Sequence, residues 1–204
     1  MSEDGIIHNN MKKQISILAI LSLLFFSCSQ DSLDRTIYIP DEDHPDLPAY
    51  TEWGYNSFGA FYERDKIGST NDIVPCKIVY KDGILDFSLV GRYLQKNTAL
   101  TFSFPLSEIK TIEDLAILHN FKLDLTENCT VTLEDDNYPT TFEVRSGELH
   151  FKRFQLLRVD ERLNRIILSG TFEVKVLKNG RPETISDGRF DIGITNNDFY
   201  SYAN

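Results

Sequence analysis

From about Tyr50 to Ile194, apolar and polar residues alternate with a period of two, which restricts this stretch to β-sheet with one buried face. Cys76, Ile78 and Tyr80 alternate with Lys77, Val79 and Lys81, and Leu85, Phe87 and Leu89 alternate with Asp86 and Ser88. Asp82-Gly83 between these two runs is a tight hairpin signal. The pattern continues in Leu100, Phe102, Phe104 and Leu106, in Phe121, Leu123 and Leu125, and in Cys129, Val131 and Leu133. Phe142 and Val144 lead to Ser146-Gly147, read as a further turn. Leu149 and Phe151 then share one face while Phe154 and Leu156 share the other, so the phase flips at Lys152-Arg153. A flip inside one strand predicts a bulge or a sharp bend. Ile166, Leu168, Phe172, Val174 and Val176 form the longest one-faced run, with Gly170 on the same face as a site of bending or close packing. Asn179-Gly180 turns the chain, and Phe190, Ile192 and Ile194 complete the pattern.

Only Thr111 to His119 reads as helix, with Thr111 as N-cap and Glu113 and Asp114 in the first turn. About ten strands and one short helix predict an all-β fold, an antiparallel meander forming a barrel or a two-layer sandwich. A parallel α/β fold is excluded for want of crossover helices.

The start of the chain has a different logic. Met11-Lys12-Lys13 is a basic cluster, and Ile15 to Phe26 is a twelve-residue stretch interrupted only by Ser16 and Ser22. That stretch is too short to span a bilayer, which takes roughly 20 apolar residues. With a small residue at its end it has the layout of a secretory signal peptide, for which Met11 is the better start. Phe25-Phe26-Ser27-Cys28 resembles the bacterial lipobox, with Phe25 where Leu is usual. This resemblance implies cleavage after residue 27 and acylation of Cys28, palmitate being one such acyl group. The expected organisation is a signal peptide over 1–27, a lipidated cysteine and acidic, Pro-containing tether over 28–49, and one domain over 50–204. The implied location is the cell envelope, anchored by lipid to the outer membrane, on either its periplasmic or its surface face.

The net charge is −10, and residues 1–27 carry two acidic and two basic side chains, so cleavage leaves it unchanged. An acidic chain lacks the basic stripe that nucleic acid requires and gains nothing from anionic lipid, so the membrane is reached through Cys28 alone. No nucleophile elbow, zinc-protease helix or phosphate loop is present, and the histidines lack metal-ligand spacing. We therefore expect no catalytic residue, metal or cofactor. Asp41-Glu42-Asp43-His44 reads as solvated tether, and Glu134 to Asn137 as an acidic turn.

Two features remain as candidate sites. Cys76 and Cys129 lie on apolar strand faces, either as a disulfide in an oxidising compartment or as two small buried hydrophobes. Trp53, Tyr55, Phe58, Phe61 and Tyr62 crowd the start of the domain, either as core or as an exposed surface for a ligand or partner.

Glu52-Trp53-Gly54-Tyr55-Asn56-Ser57-Phe58-Gly59-Ala60 resembles the opening of small Bacteroidota (Bacteroides-type) lipoproteins of unknown function with an all-β domain. Gly170 to Val174, and Ile185-Ser186-Asp187-Gly188-Arg189-Phe190-Asp191-Ile192, resemble their final hairpin. The resemblance implies an outer-membrane or surface lipoprotein and supplies no catalytic residues. Three functions compete: a non-catalytic binding or scaffolding lipoprotein that contacts a protein or glycan; a calycin-like carrier of a small apolar ligand, lined by Phe102, Phe104, Phe151 and Phe172; and a glycan hydrolase with paired carboxylates.

Overall fold

The structure, a computed structural model, describes residues 35–71, 73–135 and 138–202. Its strands are β1 (Ser57–Tyr62), β2 (Asp65–Gly68), β3 (Cys76–Lys81), β4 (Ile84–Tyr93), β5 (Lys96–Pro105) and β6 (Phe121–Asp124). They continue as β7 (Thr130–Asp135), β8 (Tyr138–Thr141), β9 (Glu143–Val159), β10 (Arg162–Lys178), β11 (Arg181–Ile194) and β12 (Phe199–Tyr202). A 3₁₀ helix over Ile112–Leu118 follows β5.

All twelve strands belong to one sheet, in the order β6-β9-β10-β11-β1-β2-β4-β5-β7-β8, with β3 added to β4 and β12 to β3. Only the β12–β3 ladder is parallel. Because β11 pairs with β1, the order runs almost in chain sequence round a roll whose ends, β8 and β6, are not joined by a ladder. The fold class is thus all-β and antiparallel with one short helix. Of the two architectures left open, the chain takes elements of each: a single sheet, as in a barrel, with opposite walls touching, as in a sandwich.

Ring contacts carry those walls. Phe87 on β4 meets Phe151 on β9 at 5.1 Å and Phe190 on β11 at 5.0 Å, and Phe102 on β5 meets Phe172 on β10 at 5.3 Å. Each fully buried side chain of this kind stabilises the fold by about 1.5–3 kcal/mol. The alternation places them there: β3 buries Cys76, Ile78 and Tyr80, and β5 buries Leu100, Phe102 and Phe104.

The phase flip in β9 is a bulge. Arg153 pairs with Ser169 and Phe151 with Gly170, so Lys152 is the extra residue. Gly170 is needed there, because a Cβ would lie 2.2 Å from the carbonyl oxygen of His150. Ser146-Gly147, read as a turn, instead lies inside β9. Gly147 serves close approach to β10, where a Cβ would sit 2.5 Å from the Glu173 carbonyl oxygen. The turns at Asp82-Gly83 and Asn179-Gly180 have both residues at positive φ, as expected. Leu94-Gln95 and Asp160-Glu161 make the same turn without glycine. There the long flanking strands impose a conformation the turn residues do not favour. The helix begins where expected, and the Asp114 carboxylate accepts from the backbone N–H groups of Lys110 (3.0 Å) and Thr111 (2.9 Å).

The tether requires a correction. Of the stretch 28–49, Cys28 and the residues up to Asp34 lie outside the described residues, but residues 35–49 belong to the folded unit that starts at Asp34. Leu47 is wholly buried and, with Pro48, seats against Gly59. The Ile37 N–H donates to the Tyr55 carbonyl (2.8 Å) and the Ala49 N–H to the Ile39 carbonyl (2.7 Å). The acidic residues act locally. Asp41 Oδ1 accepts from the N–H groups of Asp43 (3.2 Å) and His44 (3.0 Å), and Arg189 Nη1 sits 2.6 Å from Asp41 Oδ2. A composition rich in carboxylate and proline predicts solvated chain. One buried leucine and one cross-chain ion pair override it.

The hydrogen bond from the His44 N–H, first, and the Arg189 guanidinium hold the Asp41 carboxyl below its ordinary range. A depressed carboxyl contributes stability at pH above its unfolded value, near 3.9, and loses it as pH falls through the lower folded value. In an NMR titration, the amide shifts of Asp43 and His44 should hold steady down to about pH 4 and move together only below it. Movement already complete above that point would contradict the assignment.

Candidate functional site

Asp191 on β11 is 1 % exposed, yet it points to the outer face of the sheet. It is covered by the chain segment that leads into β1. The hydroxyl of Thr51 and the backbone N–H groups of Trp53 (3.1 Å), Gly54 (2.8 Å) and Tyr55 (3.2 Å) all donate to its carboxylate. A buried carboxylate is tolerated only with such a set of donors. Gly54, at φ +73°, lies directly on Ile167 of β10, and Asn56 Oδ1 accepts from the Gly193 N–H (2.9 Å). The segment is therefore clamped across β11 and β10.

Two adjoining hollows flank the clamped segment, with Tyr50 lining both. The first, about 440 Å³, is lined by Lys152, Arg189, Glu148, Glu173 and Asp187 among others. The second, about 390 Å³, is lined by Thr51, Glu52, Trp53, Arg153 and Gln155. The bulge in β9 matters here. Consecutive strand residues normally face opposite ways, but Lys152 lines one hollow and Arg153 the other on the same outer face. Tyr50 is fixed between them: its hydroxyl donates to Glu52 Oε1 (2.9 Å), and Lys152 Nζ stands 4.7 Å over its ring. Burial, above all, pushes the Tyr50 phenol up to about 12, so it stays a neutral donor across the physiological range. Gln155 Nε2 donates to the Glu52 carbonyl (2.9 Å), which pins the second hollow's floor.

Trp53 stands 73 % exposed at the rim, its backbone held by Asp191. The aromatic cluster read from the sequence divides around it. Phe58 and Tyr62 are core, Tyr55 and Phe61 are half-buried, and only Trp53 offers a free ring face. Glu148 and Glu173 sit directly opposite each other on β9 and β10 and both line the first hollow. Around the same hollow, Lys122 Nζ lies 3.1 Å from Glu148 Oε1 and His44 Nε2 lies 3.8 Å from Asp187 Oδ1.

The remaining candidates separate. Cys76 and Cys129 are free thiols. β4 and β5 lie between their strands, so roughly three strand spacings of about 4.8 Å part them, beyond disulfide reach. Burial raises both thiols, Cys129 to about 11, which makes them poor nucleophiles. Phe102, Phe104, Phe151 and Phe172 pack on one another or on neighbouring rings, and Phe172 also borders the first hollow. His119 Nδ1 accepts from the Phe154 N–H (3.2 Å), closing part of the β9 edge. No group of three or more His, Cys, Asp or Glu among the described residues is placed to hold a metal ion. Cys28 lies outside the described residues.

Sequence reasoning missed Tyr50, Lys152 and Arg153 as site residues, and it read Asp187 to Asp191 only as a turn-bearing motif. The available signal was the phase flip itself, which already placed two adjacent cations at a bulge. Compared with protein-family models, curated proteins and solved structures, the chain matches none.

Replacing Asp191 by alanine leaves three part-buried backbone N–H donors without their acceptor and should destabilise the protein by about 1–3 kcal/mol. Chemical denaturation measures the loss. The steady-state anisotropy of Trp53 emission in the native state should fall as its backbone is released, while Asp191→Asn keeps part of both.

Proposed function

We propose that this chain is a non-catalytic, lipid-anchored envelope protein that binds a partner through the outer-face groove beside Trp53. One observation carries the reading: the only tryptophan is held out into solvent by a buried carboxylate that fixes its backbone. Exposing a large aromatic ring wastes burial, and holding it rigid lowers the entropy a partner must remove on binding. Beside it, Arg153, Gln155 and Glu52 supply polar contacts of both kinds, the mixture found where an aromatic anchor is rimmed by hydrogen-bonding groups.

The anchor is supported by the signal-like stretch and by Ser27-Cys28. Among the described residues no helix is long and apolar enough to cross a membrane. Stable attachment needs more than one acyl chain, as on a lipoprotein cysteine.

Because Trp53 is the single tryptophan, its fluorescence reports the groove directly. Titrating the full chain with soluble oligosaccharides and synthetic peptides should give a saturable change for at least one class, weakened about tenfold by Arg153→Ala. A flat response throughout, from protein with normal thermal unfolding, would sink the binding site. Separately, labelling cells with an alkyne fatty acid should tag the wild-type chain and leave Cys28→Ala unlabelled and released from the membrane fraction. Equal labelling of both would remove the anchor.

A further inference from the structure

A second concave site lies at one end of the roll, where β1, β4, β7 and β10 finish, and it shares no lining residue with the Trp53 groove. Its volume is about 280 Å³, and Tyr62, Tyr93, Tyr138 and Leu133 line it together with Lys96, Asp135, Thr140 and Lys178. The ladders bring these side chains together. Tyr93 ends β4 opposite Lys96, and Asp135 ends β7 opposite Tyr138 of β8.

Its deep wall is rigid. Tyr62 is buried, its hydroxyl donates to Glu183, and Lys178 Nζ donates to that hydroxyl (3.1 Å). Tyr93 leans on Tyr62 with ring centroids 5.3 Å apart. The outer wall is the reverse: Tyr138 is 80 % exposed, and neither its hydroxyl nor that of Tyr93 has a hydrogen-bond partner among the described residues. Asp135 Oδ2 is engaged by Lys96 Nζ (3.3 Å), and Asp135 Oδ1 is shut off from solvent with no donor among the described residues. An acceptor hidden in that way costs free energy until a donor reaches it.

These features select a ligand class. The lysines are already matched, Lys96 by Asp135 directly and Lys178 through Tyr62 to Glu183, so a free ion gains little. An apolar ligand would leave the hydroxyls of Tyr93 and Tyr138 without partners. A neutral ring with C–H faces for the tyrosines and hydroxyls for Asp135 Oδ2, Tyr93 and Lys178 meets these groups. The volume lies just below the roughly 300–1,000 Å³ of drug-sized ligand sites, which suits one ring. We propose that this pocket binds a single neutral pyranose, free or at the end of a glycan.

Saturation-transfer NMR on the full chain, with a panel of neutral monosaccharides and with choline and acetate as charged probes, tests this. At least one pyranose should show transfer, and Tyr138→Ala and Asp135→Asn should each weaken its binding about tenfold. Tyr138 is exposed, so its variant should keep the wild-type melting temperature. Trp53→Ala should leave sugar binding unchanged, which separates this site from the groove. Absence of transfer from every sugar, preference for either charged probe, indifference to both pocket variants, or loss of sugar binding in Trp53→Ala would each overturn the proposal.

Discussion

The buried carboxylate of Asp191 is the interaction on which the functional surface depends. It lies on the outer face of the last long strand, where a β-sheet normally meets water, and it is dry because residues 51–55 are folded over it. Hydrogen bonds to a charged acceptor are worth about 1.5–3 kcal/mol each, and the alternative for such a carboxylate is a large desolvation cost. The contact therefore ties the start of the domain to its end. It also lies within the β1–β11 ladder, opposite Ser57, and holds the backbone of the exposed Trp53 beside the two hollows that Tyr50 lines.

Around that clamp, the sheet's irregularities decide where chemistry surfaces. The middle of the roll is packed by phenylalanine rings from opposite walls, which hold the interior together. Regular pleating would have put Lys152 and Arg153 on opposite faces, whereas the bulge sends both outward. The unjoined ends of the sheet leave β8 short and at the margin, which lets Tyr138 stand free beside Asp135. Bulges and sheet ends are where a β-protein can re-aim a side chain without breaking its ladders.

Much of the fold was legible. Strands with one buried face, such as β3, β4 and β5, declare themselves by period two, and the Lys152 bulge declares itself by a break in that period. Less legible were positions whose role is set by distant neighbours. Gly147 looks like a turn until Glu173 and Val174 are seen pressing on it. Residues 35–49 look like tether until Leu47 is seen on Gly59 and Asp41 beside Arg189. The five aromatics near the start were indistinguishable as types, and only the path of the chain separates Phe58 and Tyr62 from Trp53.

The sequence by itself determined an all-β chain, the placing of most strands and two of the glycine turns, because these rest on local rules of spacing and side-chain chemistry. Tertiary structure alone decided that the sheet stays open, that Cys76 and Cys129 remain apart, and that Tyr50, Trp53, Lys152 and Arg153 share one surface. The reason is physical. Alternation says which face of a strand is buried, but it is blind to which strand lies beside it. Every site on this molecule is made by residues brought together across ladders, from strands far apart in the chain.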